Sequence, residues 1–79
     1  MEINYSKQSI KYLKKLHKPK RDKILAAIKL LPDGNVRKME GYDNLYRLRV
    51  NDYRVIFTKD FDIIFIEKIG SRGDVYKWL

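Results

Sequence analysis

Two neighbouring segments of the chain alternate between apolar and polar residues, and they constrain the fold more than any other feature. Residues 46–50 read Tyr-Arg-Leu-Arg-Val, and residues 53–57 read Tyr-Arg-Val-Ile-Phe, which alternates over most of its length. A period of two is typical of a β-strand that buries one face. Asn51 and Asp52, between the segments, both tolerate a positive φ, so they predict a two-residue hairpin turn.

The register of this hairpin follows from the turn. It places Arg49 directly opposite Arg54, with Arg47 on the same face of the sheet. The other face is then apolar and is formed by Tyr46, Leu48, Val50, Tyr53, Val55 and Phe57. Like charges opposite each other are normally destabilising, and an anionic ligand on this open face would satisfy them. The alternative is that the three arginines extend into water and bind nothing.

The segments before the hairpin predict a strand and two helices. Ile3 and Tyr5 alternate with polar residues, as in a short strand. Ser6 is a good N-cap for a helix over residues 7–16, and Pro19 fits the first position of a second helix. The second helix carries an apolar stripe and is followed by helix-breaking residues at 32–35. The stripe consists of Ile24, Leu25, Ile28 and Leu31.

After the hairpin, Lys59 and Asp60 predict a second turn, and residues 61–66 are apolar on both faces, as in a more central strand. The predicted fold class is therefore α+β. An N-terminal strand and a two-helix antiparallel hairpin pack on an antiparallel sheet in the order β-α-α-β-β-β, with room for one further short strand at residues 75–79. Without linkers or repeats, residues 1–79 are predicted to form a single domain.

The charge of the chain points to a polyanionic or acidic partner. The net charge is +8, and residues 1–31 hold nine basic and two acidic side chains, most of the basic ones lysine. Five of the six arginines lie in the second part. Lysine supplies a diffuse charge, whereas the planar guanidinium of arginine grips phosphate at defined angles. We expect the first part to attract a polyanion and the second part to grip it.

Several kinds of site are excluded by composition. The chain has no cysteine and a single histidine, His17, so disulfides, thiolate metal sites and histidine clusters are absent. We also find no carboxylate cluster suited to Mg²⁺ and no phosphate-cradling glycine loop, and so expect no cofactor. No apolar run approaches membrane-spanning length and no signal peptide is evident, so we expect a cytoplasmic protein without a membrane partner.

RNA cleavage needs none of these groups. The 2′-OH is an internal nucleophile beside the scissile phosphate, so proximity supplies much of the acceleration. The protein then has to distort the strand and neutralise charge on the phosphate, which arginines do well. Arg72 lies in a glycine-flanked loop near the end of the chain, and Tyr76 follows four residues later. Tyr76 is either part of the same site or a packing residue.

Residues 45–57 and 69–77, with the helical hairpin before them, resemble the RelE/ParE toxin superfamily, most specifically at Tyr53 with Arg54 and at Arg72 with Tyr76. The resemblance spans nearly the whole chain. It implies a RelE-like fold and a toxin of a type II toxin–antitoxin system, with a cognate antitoxin as partner. RelE-type members are metal-independent endoribonucleases that cleave mRNA in the ribosomal A site by 2′-OH attack, so the ribosome (rRNA) and mRNA are further implied partners.

The resemblance also implies roles for individual residues. Arg54 and Arg72 match phosphate-stabilising arginines, and Arg72 is also a candidate to protonate the leaving oxygen. Tyr76 matches a tyrosine that stacks on or orients the substrate. Arg47 lies where RelE has a basic residue credited with activating the 2′-OH; because arginine stays protonated, we expect an electrostatic contact there. The predicted RNA-binding residues are Arg49, Lys38, Arg37 and Lys77.

Two alternatives to the RelE-like ribonuclease remain open at this point. The same superfamily includes ParE-like inhibitors of DNA gyrase, which have no nuclease activity. A non-catalytic nucleic-acid-binding module would use the charge for affinity alone. The combination of Arg54, Arg72 and Tyr76 favours the ribonuclease.

Overall fold

The computed structural model describes residues 2–78, except for the side chains of Tyr76 and Trp78. In chain order the elements are β1 (Glu2–Tyr5), α1 (Lys7–Lys15), α2 (Lys18–Lys29), β2 (Val36–Lys38), β3 (Tyr46–Val50), β4 (Tyr53–Asp60), β5 (Ile63–Ser71) and a 3₁₀ helix (Asp74–Trp78). The strands form one sheet in the order β1-β5-β4-β3-β2. The predicted α+β fold is confirmed, although β1 pairs parallel to β5 while the other strands are antiparallel. Within the described residues, no helix is long and apolar enough to cross a membrane.

The start of α1 is fastened to β5. Ser6 caps the helix as predicted, accepting a hydrogen bond from the Ser9 amide at 3.1 Å, and its hydroxyl donates to the Glu67 carbonyl at 2.7 Å. Beyond the end of β1, the Gln8 side chain takes over the hydrogen bonding to β5. It donates to the Ile69 carbonyl at 3.0 Å and accepts from the Ile69 amide at 3.1 Å. Side chains of the helix thus satisfy backbone groups of β5 that β1 does not reach.

The main core lies between the helices and one face of the sheet. The predicted apolar face of the β3–β4 hairpin is part of this core or packs against it. Ile24 and Ile28 from α2 are fully buried there, whereas Leu25 lies at its margin. The strand residues fully buried in this main core are Leu48, Val55, Phe57, Ile64, Ile66 and Ile69.

Two local predictions are wrong. The β4–β5 turn lies at Phe61 and Asp62, not at Lys59 and Asp60, which are the last residues of β4. Phe61 occupies the left-handed region with φ 54° and is 88% exposed. A large apolar residue does not predict such a turn from the sequence. The further short strand is β2, at the opposite edge from β1, because Val36 pairs with Leu48 of β3. Asp74–Trp78 form the 3₁₀ helix instead, and Leu79 lies outside the described residues.

A β-bulge changes the facing of residues along β5. Phe57 pairs with Ile66 whereas Ile56 pairs with Lys68, so Glu67 is the extra residue. The bulge turns Lys68 to the face away from the helices and returns Ile69 to the main core. Strict alternation from Ile66 would have given the reverse.

The face away from the helices has a small apolar cluster of its own. Leu45, Ile56 and Val75 are buried together, and Met39 packs against them. Val75 comes from the 3₁₀ helix and lies over Gly70 of β5. The end of the chain therefore covers part of a face that the sequence predicts to be open.

Replacing Gly70 by alanine should displace the 3₁₀ helix. The new Cβ would lie 3.2 Å from Val75 Cβ and 3.3 Å from Val75 Cα. We expect Gly70→Ala to lower the free energy of unfolding by about 1–3 kcal/mol, as overpacking does in other cores. The measurement is chemical denaturation followed by circular dichroism.

Gly73→Ala is the matched control, because a Cβ at Gly73 meets nothing within 4 Å. Its free energy of unfolding should stay within about 0.5 kcal/mol of the wild-type value. Equal stability of the two alanine variants would contradict the packing of Val75 on Gly70.

Candidate nucleic-acid interface

Arginines of three neighbouring strands lie on the sheet face away from the helices. Cα pairing places Arg37 of β2 opposite Arg47 of β3, and Arg49 of β3 opposite Arg54 of β4. The predicted pairing of Arg49 with Arg54 is confirmed, and the pairing of Arg37 with Arg47 is added by β2. The Arg49–Arg54 pair sets two like charges directly opposite each other, which is electrostatically unfavourable by itself.

Arg54 differs from the sequence prediction of an open arginine face. It is only 6% exposed, so the prediction is wrong for this residue. Its Nη1 donates to the carbonyls of Asn51 and Tyr53, both at 2.8 Å, so the guanidinium lies against the hairpin turn. Arg54 also pairs with Gly70, on which Val75 packs. The alternation in sequence shows which face the Arg54 side chain occupies, but not that its guanidinium is buried against the turn.

Four of the arginines described above form no ion pair within the described part of the chain. They are Arg37, Arg49, Arg54 and Arg72. A guanidinium remains protonated at any physiological pH, and a buried charge without an opposite charge is costly. The site therefore holds positive charge that an external anion would stabilise, with Arg54 as its most buried member.

Arg72 is brought to the same end of the sheet by a backbone contact. Ser71, the last paired residue of β5, lies opposite Tyr53, and the Arg72 amide donates to the Asp52 carbonyl at 2.7 Å. The Arg72 side chain is exposed. The loop that carries Arg72 is thus attached to the turn of the β3–β4 hairpin, two residues beyond the Gly70–Arg54 pair.

Asp74 organises the far side of the Arg72 loop. Its carboxylate accepts a hydrogen bond from the Ser71 hydroxyl at 3.0 Å and lies 3.4 Å from Lys77 Nζ. The Ser71 hydrogen bond, followed by the hydrogen bond and charge of Lys77, lowers the pKa of Asp74 below its ordinary value. Lys77, a predicted RNA-binding residue, is highly exposed, and it forms an ion pair with Asp74.

The remaining predicted residues lie at the β2 edge or outside the described side chains. Arg37 and Lys38 are exposed, and with Arg47 they line a shallow cleft of about 270 Å³ that also includes Met39 and Glu40. The structure thus gathers Arg37, Arg47, Arg49, Arg54 and Arg72 at adjoining positions, whereas Lys38 pairs with Tyr46, which packs against the main core, and reaches this group only at the β2 edge. The Tyr76 side chain is outside the described residues.

Lys68 is a basic residue of this face that sequence reasoning missed. It pairs with Ile56, which in turn pairs with Arg47, so the three form one row across β5, β4 and β3. Only the bulge at Glu67 gives Lys68 this facing. A charged residue breaking the apolar alternation after Ile66 was the one available signal.

Comparison with known proteins places the chain in a family. A family model described as the ParE toxin of the type II toxin–antitoxin system parDE matches residues 3–76. Toxin RelE3 of Methanocaldococcus jannaschii is 27% identical over 86 aligned positions. The alignment covers 99% of this chain and 98% of that protein.

Solved structures agree with the sequence comparisons. The archaeal RelE–RelB complex from Pyrococcus horikoshii contains a chain 31% identical to this one, with a TM-score of 0.77 over 92% of this chain and 96% of that chain. The RelB–RelE complex from Methanococcus jannaschii contains one that is 25% identical, with a TM-score of 0.79 over 96% of this chain and 98% of that chain. The chain therefore belongs to the RelE/ParE family of toxins from type II toxin–antitoxin systems.

Proposed function

We propose that this toxin is a metal-independent endoribonuclease that cleaves mRNA in the ribosomal A site and so stops translation in the cytoplasm. The observation that carries the proposal is the pairing of Arg37 with Arg47 and of Arg49 with Arg54 on one face. Four guanidinium groups at adjoining positions form a site for a polyanion with closely spaced phosphates. Arginine, with its planar fork, suits phosphate better than the lysines of the helical hairpin do.

The reaction follows from the chemistry of RNA. The 2′-oxygen attacks the phosphorus, the bond to the 5′-oxygen breaks, and a cyclic phosphate and a 5′-hydroxyl result. One proton leaves the 2′-OH and one is added to the 5′-oxygen, so the proton count is unchanged. The protein contributes by stabilising the charge on the phosphate and by orienting the RNA strand.

We assign the residues of the site accordingly. Arg54 and Arg72 stabilise the charge that develops on the phosphate, and Arg72 donates a hydrogen bond or proton to the leaving oxygen. Arg47 and Arg49 act as electrostatic contacts, because a guanidinium does not accept the 2′ proton near neutral pH. Tyr76 orients the substrate base. The flanking RNA-binding residues are Arg37, Lys38 and Lys77.

The test is cleavage of mRNA on programmed ribosomes, read by primer extension in the presence of a chelator. Wild-type protein should cut within the A-site codon, and 2′-deoxy substitution of the attacking nucleotide should abolish the cut. Arg72→Ala should lower the rate by about 100-fold or more, as loss of one stabilising donor does elsewhere.

Lys29→Ala is the control for this experiment, because Lys29 is an exposed cation on α2, away from the arginines. Its cleavage rate should equal that of the wild type. Full activity of Arg72→Ala would refute the site assignment, and an uncut mRNA with active ribosomes would refute the nuclease.

A second candidate is favoured by the family model, whose description names ParE. A ParE-like toxin would inhibit DNA gyrase and leave mRNA intact. Accumulation of cleaved DNA on purified gyrase, together with uncut mRNA on ribosomes, would establish this alternative. The paired arginines are less readily explained by it, because a gyrase inhibitor does not need a catalytic phosphate site.

We also propose a cognate antitoxin as the protein partner. Two similar structures are toxins in complex with RelB, and this chain offers a surface for such a contact. An apolar groove of about 250 Å³ lies between α1 and α2, where Ile10 is 42% exposed and Lys14 and Arg21 contribute cationic side chains. An amphipathic segment with acidic residues would complement this groove.

Ile10→Asp should therefore weaken neutralisation by the antitoxin by at least about tenfold, because it adds a charge to an apolar contact. The partner for the experiment is the small protein encoded beside the toxin, and the readout is its dissociation constant from the toxin. Leu30→Asp is the matched control, since Leu30 is 64% exposed and outside the groove. Equal effects of the two variants would argue against the groove.

A further inference from the structure

Three backbone carbonyls of the β3–β4 turn connect two arginines that are 18 positions apart in sequence. Arg54 Nη1 donates to the carbonyls of Asn51 and Tyr53, both at 2.8 Å. The carbonyl of Asp52, between them in sequence, accepts the Arg72 amide at 2.7 Å. Arg54, which is buried, thus bonds to the residues on either side of Asp52. Asp52 in turn accepts the amide of Arg72, whose side chain is exposed.

The turn needs such support. Asn51 occupies the left-handed region with φ 52°, a conformation that asparagine tolerates at some cost. Asn51 and Asp52 are exposed, so few packing contacts fix their carbonyl directions. Arg54 is 94% buried and its side chain is consequently well fixed, which makes it a rigid donor for two carbonyls at once.

The Arg72 loop, in contrast, has few attachments between the Ser71–Tyr53 pairing before it and the buried Val75 after it. Arg72 and Gly73 are both exposed, and a Cβ at Gly73 would meet no atom within 4 Å. On the far side, the Ser71–Asp74 hydrogen bond closes the loop on itself rather than on the hairpin. Between these attachments, the hydrogen bond to the Asp52 carbonyl holds the backbone of Arg72 itself against the hairpin turn.

We propose that Arg54 is a positioning residue for Arg72, acting through the Asn51–Asp52 turn, in addition to any contact of its own with phosphate. The two arginines then form one unit, and removal of Arg54 also removes most of what Arg72 contributes. The functional half of this inference rests on the proposed RNA cleavage; the structural half does not.

The structural half is tested by amide hydrogen exchange resolved at single residues. Arg54→Ala should speed exchange of the Arg72 amide by about tenfold or more, the loss expected for a local hydrogen bond. Amides whose hydrogen bonds lie away from the turn, such as that of Ile69, which donates to the Gln8 side chain, should change by less than about twofold. Arg49→Ala, which removes the directly opposite arginine, should leave the Arg72 amide unchanged. Unchanged protection of the Arg72 amide in Arg54→Ala would overturn the proposal.

A second pair of variants changes the turn without touching Arg54, and serves if Arg54→Ala does not fold. Asn51→Val disfavours the left-handed conformation, whereas Asn51→Gly permits it. Asn51→Val should speed exchange of the Arg72 amide and Asn51→Gly should not. The same exchange rate in both variants would show that the turn does not transmit the effect, and would overturn the proposal.

The functional half is tested by a double-mutant cycle on the ribosomal cleavage rate. Arg72→Ala should lower the rate by about 100-fold in the wild-type background and by less than about threefold in the Arg54→Ala background. In the Arg49→Ala background it should keep its full effect. Independent, multiplicative effects of Arg54 and Arg72 would overturn the coupling, whereas an inactive wild type would refute the nuclease and leave the exchange result to decide the positioning role.

Discussion

The two-residue turn at Asn51 and Asp52 sets the register on which the rest of the structure depends. Because facing alternates along a strand, this one turn decides that Leu48 and Val55 face the helices and that Arg49 and Arg54 face away from them. A shift of one residue would bury the arginines and expose the core. The apolar core thus holds the arginine pairs together against their mutual repulsion.

The arginine face is not an open sheet surface but a partly covered one. Val75 of the 3₁₀ helix packs over Gly70 and Ile56, and the guanidinium of Arg54 lies against the hairpin turn. The hydrogen bonds to the Asn51 and Tyr53 carbonyls fix the position of the Arg54 guanidinium, whereas Arg49 beside it is exposed. The face therefore combines a buried, rigid cation with exposed ones, a combination suited to gripping a phosphate in one orientation.

The sequence was sufficient to predict those features that follow from the period of the apolar residues and from helix capping. The hairpin register, the Ser6 cap and the apolar stripe of α2 are predictable because each depends on neighbouring residues only. The turn at Phe61 was missed because it places a large apolar residue at a positive φ. The facing of Lys68 depends on a bulge, and alternation alone does not show that the guanidinium of Arg54 bonds to the turn carbonyls and is buried, so neither follows from the local pattern.

The central claim is that the arginine face, and not the lysine-rich helical hairpin, grips the nucleic acid. It is tested most directly by titrating isotope-labelled protein with a short single-stranded RNA and following amide and guanidinium resonances by NMR. Our account predicts that the resonances of Arg47, Arg49 and Arg72 shift together, while those of α1 and α2 move little. Shifts concentrated at Lys11, Lys15 and Lys23, with the arginine resonances unmoved, would contradict it.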